Sequence, residues 1–175
     1  MNDLNKLLFT HPAFFISFGF GSGLSKFAPG TVGTLWSWAI FLVLENFFNL
    51  DYFLLLLPFI FFISIWACNI TIKKLKKDDP SEIVIDEIVA FWLILSLLPA
   101  SSDPYAVDVL NGLPEWVVQL SAFVIFRFLD IVKPNPIGFL EKKIKGGFGV
   151  MFDDIIAAVM TLLIISIFFK IFNYV

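Results

Sequence analysis

The chain has one histidine, His11, and one cysteine, Cys68, in 175 residues. A phosphatase that pairs a histidine nucleophile with a second histidine is therefore excluded. A cysteine-nucleophile phosphatase is excluded too, because Cys68 lies in Trp66-Ala67-Cys68-Asn69 with no arginine nearby. Transition-metal centres built from His and Cys cannot form. An intramolecular disulfide is impossible, and Cys68, inside an apolar run, reads as a packing residue. No Asp-x-Asp pair offers an aspartyl-phosphate route. Charge is also scarce: 15% of residues are charged, and the net charge of −3 leaves no broad basic surface for nucleic acid. Met1–Lys6 lacks the basic region and cleavage site of a signal peptide, so the N-terminus is expected to be retained.

What is present is apolar. Hydrophobic residues make up 59% of the chain, Phe alone contributes 23, and the mean hydropathy is +0.90. Soluble domains carry about 45–50% apolar and about 25% charged residues, so the bilayer is the expected solvent. A spanning helix needs roughly 17–25 mostly apolar residues. Five segments qualify: about Thr31–Phe48, Tyr52–Ile72, Glu82–Leu98, Pro114–Val132 and Phe152–Phe172. Pro80-Ser81 marks the start of the third and Pro99 its stop. Pro114 suits the first turn of the fourth, and Pro134 follows its end. Leu4–Phe20 is broken by His11, Pro12 and Gly19, and reads as an interfacial or re-entrant segment. The expected fold is a single all-α domain over residues 1–175, a multi-pass membrane helical bundle.

Basic residues set the orientation. Lys26, then Lys73, Lys74, Lys76 and Lys77, then Lys133, Lys142, Lys143 and Lys145 all fall in alternate connections, and the opposite loops hold no Lys or Arg. The positive-inside rule places the Lys-rich loops in the cytoplasm, with Lys170 as the exception. The acids then become informative. Asp86 and Glu87, Asp130, and Asp153 and Asp154 come from three different segments. At about 1.5 Å per residue, all five fall within roughly 10 Å of the cytoplasmic interface. A carboxylate near hydrocarbon costs on the order of 2.5–3.5 kcal/mol and needs a compensating partner. Hard oxygen ligands gathered in one layer point to a divalent cation, Mg2+ in the first instance.

Four stretches carry this chemistry. The first, GSGLSKFAPGTVGT (Gly21–Thr34), is rich in Gly and hydroxyls and leads into a helix, where an anion is favoured; Lys26, Thr31 and Thr34 add donors. It lacks the Gly-Lys-Ser/Thr ending of a Walker A loop, and its bland reading is a flexible interfacial turn. The second is Asp86-Glu87 in IVIDEIVAFW, where a helix-start charge pair is the structural alternative. The third is FRFLDIVKPNPI, in which Arg127 and Asp130 share a helix face; they either neutralise each other or divide between phosphate and metal. The fourth is GGFGVMFDDIIAA, a glycine-rich stretch (Gly146, Gly147) ahead of Asp153 and Asp154, which either cap a helix or hold a cation. His11 reads as a solvated polar residue, and the five Trp as packing or interface anchors.

In this order the four stretches resemble the phosphatidylglycerophosphatase A family. The resemblance covers Gly21 to about Ala158, and the ordered set is specific where no single stretch is. It implies a Mg2+-dependent enzyme of the bacterial inner (cytoplasmic) membrane, with its active site facing the cytoplasm. Such an enzyme takes the terminal phosphate from a phospholipid substrate, phosphatidylglycerol phosphate, leaving phosphatidylglycerol. On that reading Asp86, Asp130, Asp153 and Asp154 hold the metal. Glu87, Asp154 and Arg127 are catalytic, and Lys26, Thr31, Thr34, Arg127, Lys133, Gly146 and Gly147 bind substrate. The alternative from another class is an ion or metal transporter using the intramembrane carboxylates, which would spread acids across the bilayer depth. A nucleotide-lipid phosphotransferase also clusters Asp and Mg2+, but its spaced Asp-Gly, Ala-Arg, Gly and Asp pattern is absent.

Overall fold

The computed structural model describes residues 3–47, 49–98 and 113–172, and every regular element among them is helical. In chain order these are α1 (Asp3–Leu7), α2 (Pro12–Ser17), a 3-10 segment (Gly19–Leu24), α3 (Pro29–Leu44), α4 (Leu50–Leu75), α5 (Ile85–Leu97), α6 (Glu115–Val132), α7 (Ile137–Lys143) and α8 (Gly146–Phe172).

Helix α5 is the axis of the bundle. Every residue from Ile83 to Trp92 is buried, and α3, α4 and α8 pack around it, with α6 touching it more lightly. A helix that is apolar on all sides is satisfied equally by lipid or by other helices. Here the other helices take that place, which is why the span count read from apolar runs differs from the structure. Two helices among the described residues are long and apolar enough to cross a bilayer, Tyr52–Leu75 and Gly146–Ile171, against the five spans expected. Helix α5 has 13 residues and α3 has 16. At 1.5 Å per residue they run about 20 and 24 Å, short of a hydrocarbon core of about 30 Å. Helix α6 has 18 residues but carries Glu115, Arg127 and Asp130.

Boundaries also move. Helix α5 starts at Ile85 rather than Glu82, because Pro80-Ser81 form a turn closed by the Ile83 N–H on the Pro80 carbonyl at 2.9 Å. Pro114 stands at the N-cap of α6, one residue outside it. Helix α8 opens at Gly146, so the expected glycine loop is helical and Asp153 and Asp154 lie about two turns inside. Pro99 and residues 100–112 fall outside the described residues.

The N-terminal segment contains no spanning helix. Helices α1 and α2 and the 3-10 segment fold onto the end of α4 through Leu8, Phe14 and Phe18, with Ile70 and Leu75 against them. The buried Ser17 and Thr71 hydroxyls share a hydrogen bond of 2.7 Å. His11 caps α2, its Nδ1 accepting from the Ala13 N–H at 3.1 Å. Cys68 is fully buried and free, as its apolar setting predicts.

Candidate active site

Helix α3 begins after a left-handed residue, Ala28 (φ 43°), with Pro29 in its first turn. Its next residue, Gly30, lies directly on α5. A Cβ there would strike the Glu87 carboxylate and come within 3.0 Å of the Arg127 guanidinium. Only glycine lets the helix start approach two charged groups this closely. The first turn of α3 thus forms one wall of a cleft of about 360 Å³, which Thr31, Asp79, Pro80, Ser81, Asp86, Glu87, Arg127, Asp130, Ile131, Lys133, Asp153 and Asp154 also line.

All five acids singled out in the sequence reach this cleft, but they do not share one environment. Asp86, Glu87 and Asp154 each present an oxygen so that the three atoms lie within 4.8 Å of one another. Asp86 Oδ1, Glu87 Oε2 and Asp154 Oδ2 are buried with no hydrogen-bond partner. Unpartnered buried carboxylate oxygens are costly, and three together repel. Asp130 and Asp153 are held closely by cations, one of which Glu87 shares at longer range. Arg127 Nη1 lies 2.6 Å from Asp130 Oδ2 and 3.5 Å from Glu87 Oε1. Lys133 Nζ lies 2.8 Å from Asp153 Oδ2. The Arg127–Asp130 pair follows from their spacing of three on α6. Lys133 reaches Asp153 because it ends α6 in a left-handed conformation (φ 46°), which turns the chain toward α8. With Asp79, six carboxylates therefore line the cleft beside two side-chain cations, and the cleft has room for further positive charge.

The remaining candidates divide. Thr31 lines the cleft, whereas Lys26 is exposed outside it. Thr34 is buried inside α3 and spends its hydroxyl on the Gly30 carbonyl at 2.8 Å. Gly146 and Gly147 are not in the cleft's lining; Gly147 packs against the Ile65 carbonyl and Asn69 of α4. There Asn69 Oδ1 accepts the Gly147 N–H at 2.8 Å and caps α8 from a neighbouring helix. Two further contributors lie outside the four stretches singled out in the sequence. Asn69 anchors the helix that carries Asp153 and Asp154, and no local pattern announces a cap supplied from elsewhere in the chain. Asp79-Pro80-Ser81 forms part of the rim, and its Pro-Ser pair had signalled only a helix start.

The chain matches the model of the phosphatidylglycerophosphatase A family over residues 15–169. It is 32% identical over 164 residues to a Haemophilus influenzae protein named phosphatidylglycerophosphatase A, covering 94% of this chain and 93% of that one. An Escherichia coli protein of the same name is 33% identical over 157 residues, covering 90% and 83%. A Bacteroides thetaiotaomicron protein, provisionally named a phosphatidylinositol-3-phosphatase, is 39% identical over 158 residues, covering 87% and 90%. No solved structure matches. The matched region contains the whole cleft, from the start of α3 to the acids of α8, and with it the chain belongs to the phosphatidylglycerophosphatase A family of phosphoric monoester hydrolases.

Proposed function

We propose that this protein removes the terminal phosphate of phosphatidylglycerol phosphate, with Mg2+, at the cytoplasmic face of a bacterial inner membrane. The observation that carries the reading is the juxtaposition, at the start of α3, of an arginine and three buried carboxylates, each with an oxygen that lacks a hydrogen-bond partner. The donor set is hard oxygen only and lacks hydrogen-bond donors, which suits a divalent ion of the Mg2+ class. Asp86, Glu87 and Asp154 would hold it. When bound, Mg2+ supplies Lewis-acid polarisation of the phosphate and offsets the cleft's negative charge.

The chain's own groups do the rest. Asp130 fixes one edge of the Arg127 guanidinium, which lines the cleft, so the fork is oriented beside the place a phosphate would occupy. Lys133, steadied by Asp153, brings a second positive charge. The N–H groups at the start of α3 favour an anion. Water attacks phosphorus in line with the glycerol oxygen, whose P–O bond breaks. A cleft carboxylate accepts the water's proton, and the leaving alkoxide takes up a proton to become the alcohol. Arg127 and Lys133 stabilise the equatorial oxygens without having to reorganise.

Membrane side is supported by sequence position. The rim residues Asp79–Ser81 follow Lys73, Lys74, Lys76 and Lys77 directly, and such clusters stay in the cytoplasm. Acids collected at one depth also count against a conduction path, which needs them spread across the bilayer. The Bacteroides relative supports a second headgroup, phosphatidylinositol 3-phosphate. Phosphate release from both lipids by purified protein in detergent, with Mg2+ and with EDTA, separates these readings. Mg2+-dependent release from phosphatidylglycerol phosphate is the expected result. Preference for the inositol lipid would reassign the substrate, and release unaffected by EDTA would remove the metal.

A further inference from the structure

A phosphate in this cleft belongs to a lipid whose chains must lie somewhere, and the helices around the cleft do not all pack closely on one another. Helix α3 packs closely on α5, α5 on α8 and α6 on α8. Lys133 and Asp153 tie the last pair together at the rim. Helices α3 and α6 are joined instead by side chains. Trp38 donates from Nε1 to Gln119 Oε1 at 2.8 Å and stacks on Phe123 with ring centroids 6.0 Å apart, while Gly30 sits beside Arg127. These pairings make the two helices antiparallel neighbours across a seam.

Each helix carries one stripe beside that seam, the one on α6 lying about a quarter-turn outward from Gln119 and Phe123. Residues four, seven and eleven apart share a helix face. On α3 the stripe is Thr31, Leu35, Trp38 and Leu42; on α6 it is Leu120, Val124, Arg127 and Ile131. Thr31, Arg127 and Ile131 also line the cleft. Beyond them both stripes are apolar, and Leu35, Leu42, Leu120 and Val124 are between 41% and 57% exposed. From Thr31 to Leu42 the stripe runs about 16 Å, close to the roughly 15 Å of one leaflet's hydrocarbon.

We infer that the seam between α3 and α6 is the lateral entry of the lipid substrate, with an acyl chain lying along it over Trp38 and Phe123 while the phosphate occupies the cleft. The inference rests on the reading of a lipid phosphomonoester as substrate. The apolar groove between α4 and α8 is less suited. Phe148, Phe152 and Ile155 line it, and they occupy the face of α8 opposite Val150, Asp153 and Asp154. A chain held there is not continuous with a phosphate in the cleft.

The test compares two substrates with the same headgroup, a long-chain diacyl lipid in micelles and a short-chain, water-soluble analogue. Leu35→Trp and Val124→Trp add bulk to opposite walls of the seam, and Phe62→Trp adds it to the α4–α8 groove. Either seam variant should lower kcat/KM for the long-chain lipid about tenfold, mostly through KM, the effect of disturbing the burial of a few methylenes. The short-chain analogue should change less than about twofold, since a lost apolar contact cannot weaken what it never touched. Two walls give two independent variants, and size-exclusion elution identifies any that misfolds. Equal losses on both substrates, no loss, or a selective loss from Phe62→Trp instead would overturn the seam. Wild-type protein that hydrolyses neither substrate would overturn the phosphatase reading itself.

Discussion

Two groups of acids occupy the same cleft under opposite conditions. Asp130 and Asp153 each hold a cation within 2.8 Å, whereas Asp86, Glu87 and Asp154 crowd together, each with a buried oxygen that lacks a hydrogen-bond partner, and Glu87 reaches Arg127 only at 3.5 Å. All five looked equivalent by residue type and depth. The difference teaches that a cation-bound carboxylate serves as a support, orienting Arg127 or Lys133. A donor-free one carries a standing destabilisation that only an ion or a proton relieves. The first kind contributes to the fold as it stands, and the second is retained at the fold's expense.

The sharpest way to break this contrast is to remove one charge from each group. Asp154→Asn should lower phosphate release by on the order of 10²–10³-fold, the scale for losing one preorganised electrostatic group, and should raise the Mg2+ concentration needed for half-maximal rate. Asp153→Asn should cost less, roughly 10–100-fold, because it acts through Lys133, and its Mg2+ dependence should stay near that of the wild type. Similar Mg2+ curves for the two variants would dissolve the distinction. A conservative change to the other support sharpens it further. Arg127→Lys keeps the charge but loses the planar fork that engages Asp130 and Glu87 at once. It should lose about tenfold or more in kcat, which single-turnover phosphate release would separate from binding.

Much of this arrangement was legible from the chain. The depth argument alone gathers five acids from α5, α6 and α8 into one layer, and the Arg127–Asp130 spacing gives their pairing. The Gly21–Thr34 stretch, read as leading into a helix where an anion is favoured, contains the first turn of α3 that walls the cleft. What was not legible depends on tertiary partners. Helix α5 reads as a span because its apolar residues cannot say whether lipid or α3, α4 and α8 cover them. Gly146-Gly147 reads as a ligand loop, but Asn69, seventy-eight positions away from Gly147, makes it a helix start. Thr34 reads as a donor to ligand, yet its own helix takes the hydroxyl. The split among the acids is the largest omission, since it depends on which carboxylate Lys133 reaches after the turn at the end of α6.

The smallest expected effect is also the most direct probe of that split, because it needs no substrate. In EDTA the three crowded carboxylates repel one another and leave buried oxygens unsatisfied, so Asp86→Asn removes a charge and brings an amide that can donate to its neighbours. The variant should be more stable than the wild type, by about 1 kcal/mol. Asp153→Asn removes the carboxylate 2.8 Å from Lys133, whose side chain is 24% exposed, and should be less stable by about 1 kcal/mol, short of the penalty for a fully buried pair. Thermal unfolding in detergent with EDTA should therefore move the two midpoints in opposite directions. Adding Mg2+ should raise the wild-type midpoint through binding to the folded state and should raise that of Asp86→Asn much less. Midpoints that fall together in EDTA would mean that all five acids are supports. The fold would then gain from every one of them, and the negative cleft would need another explanation than a cation.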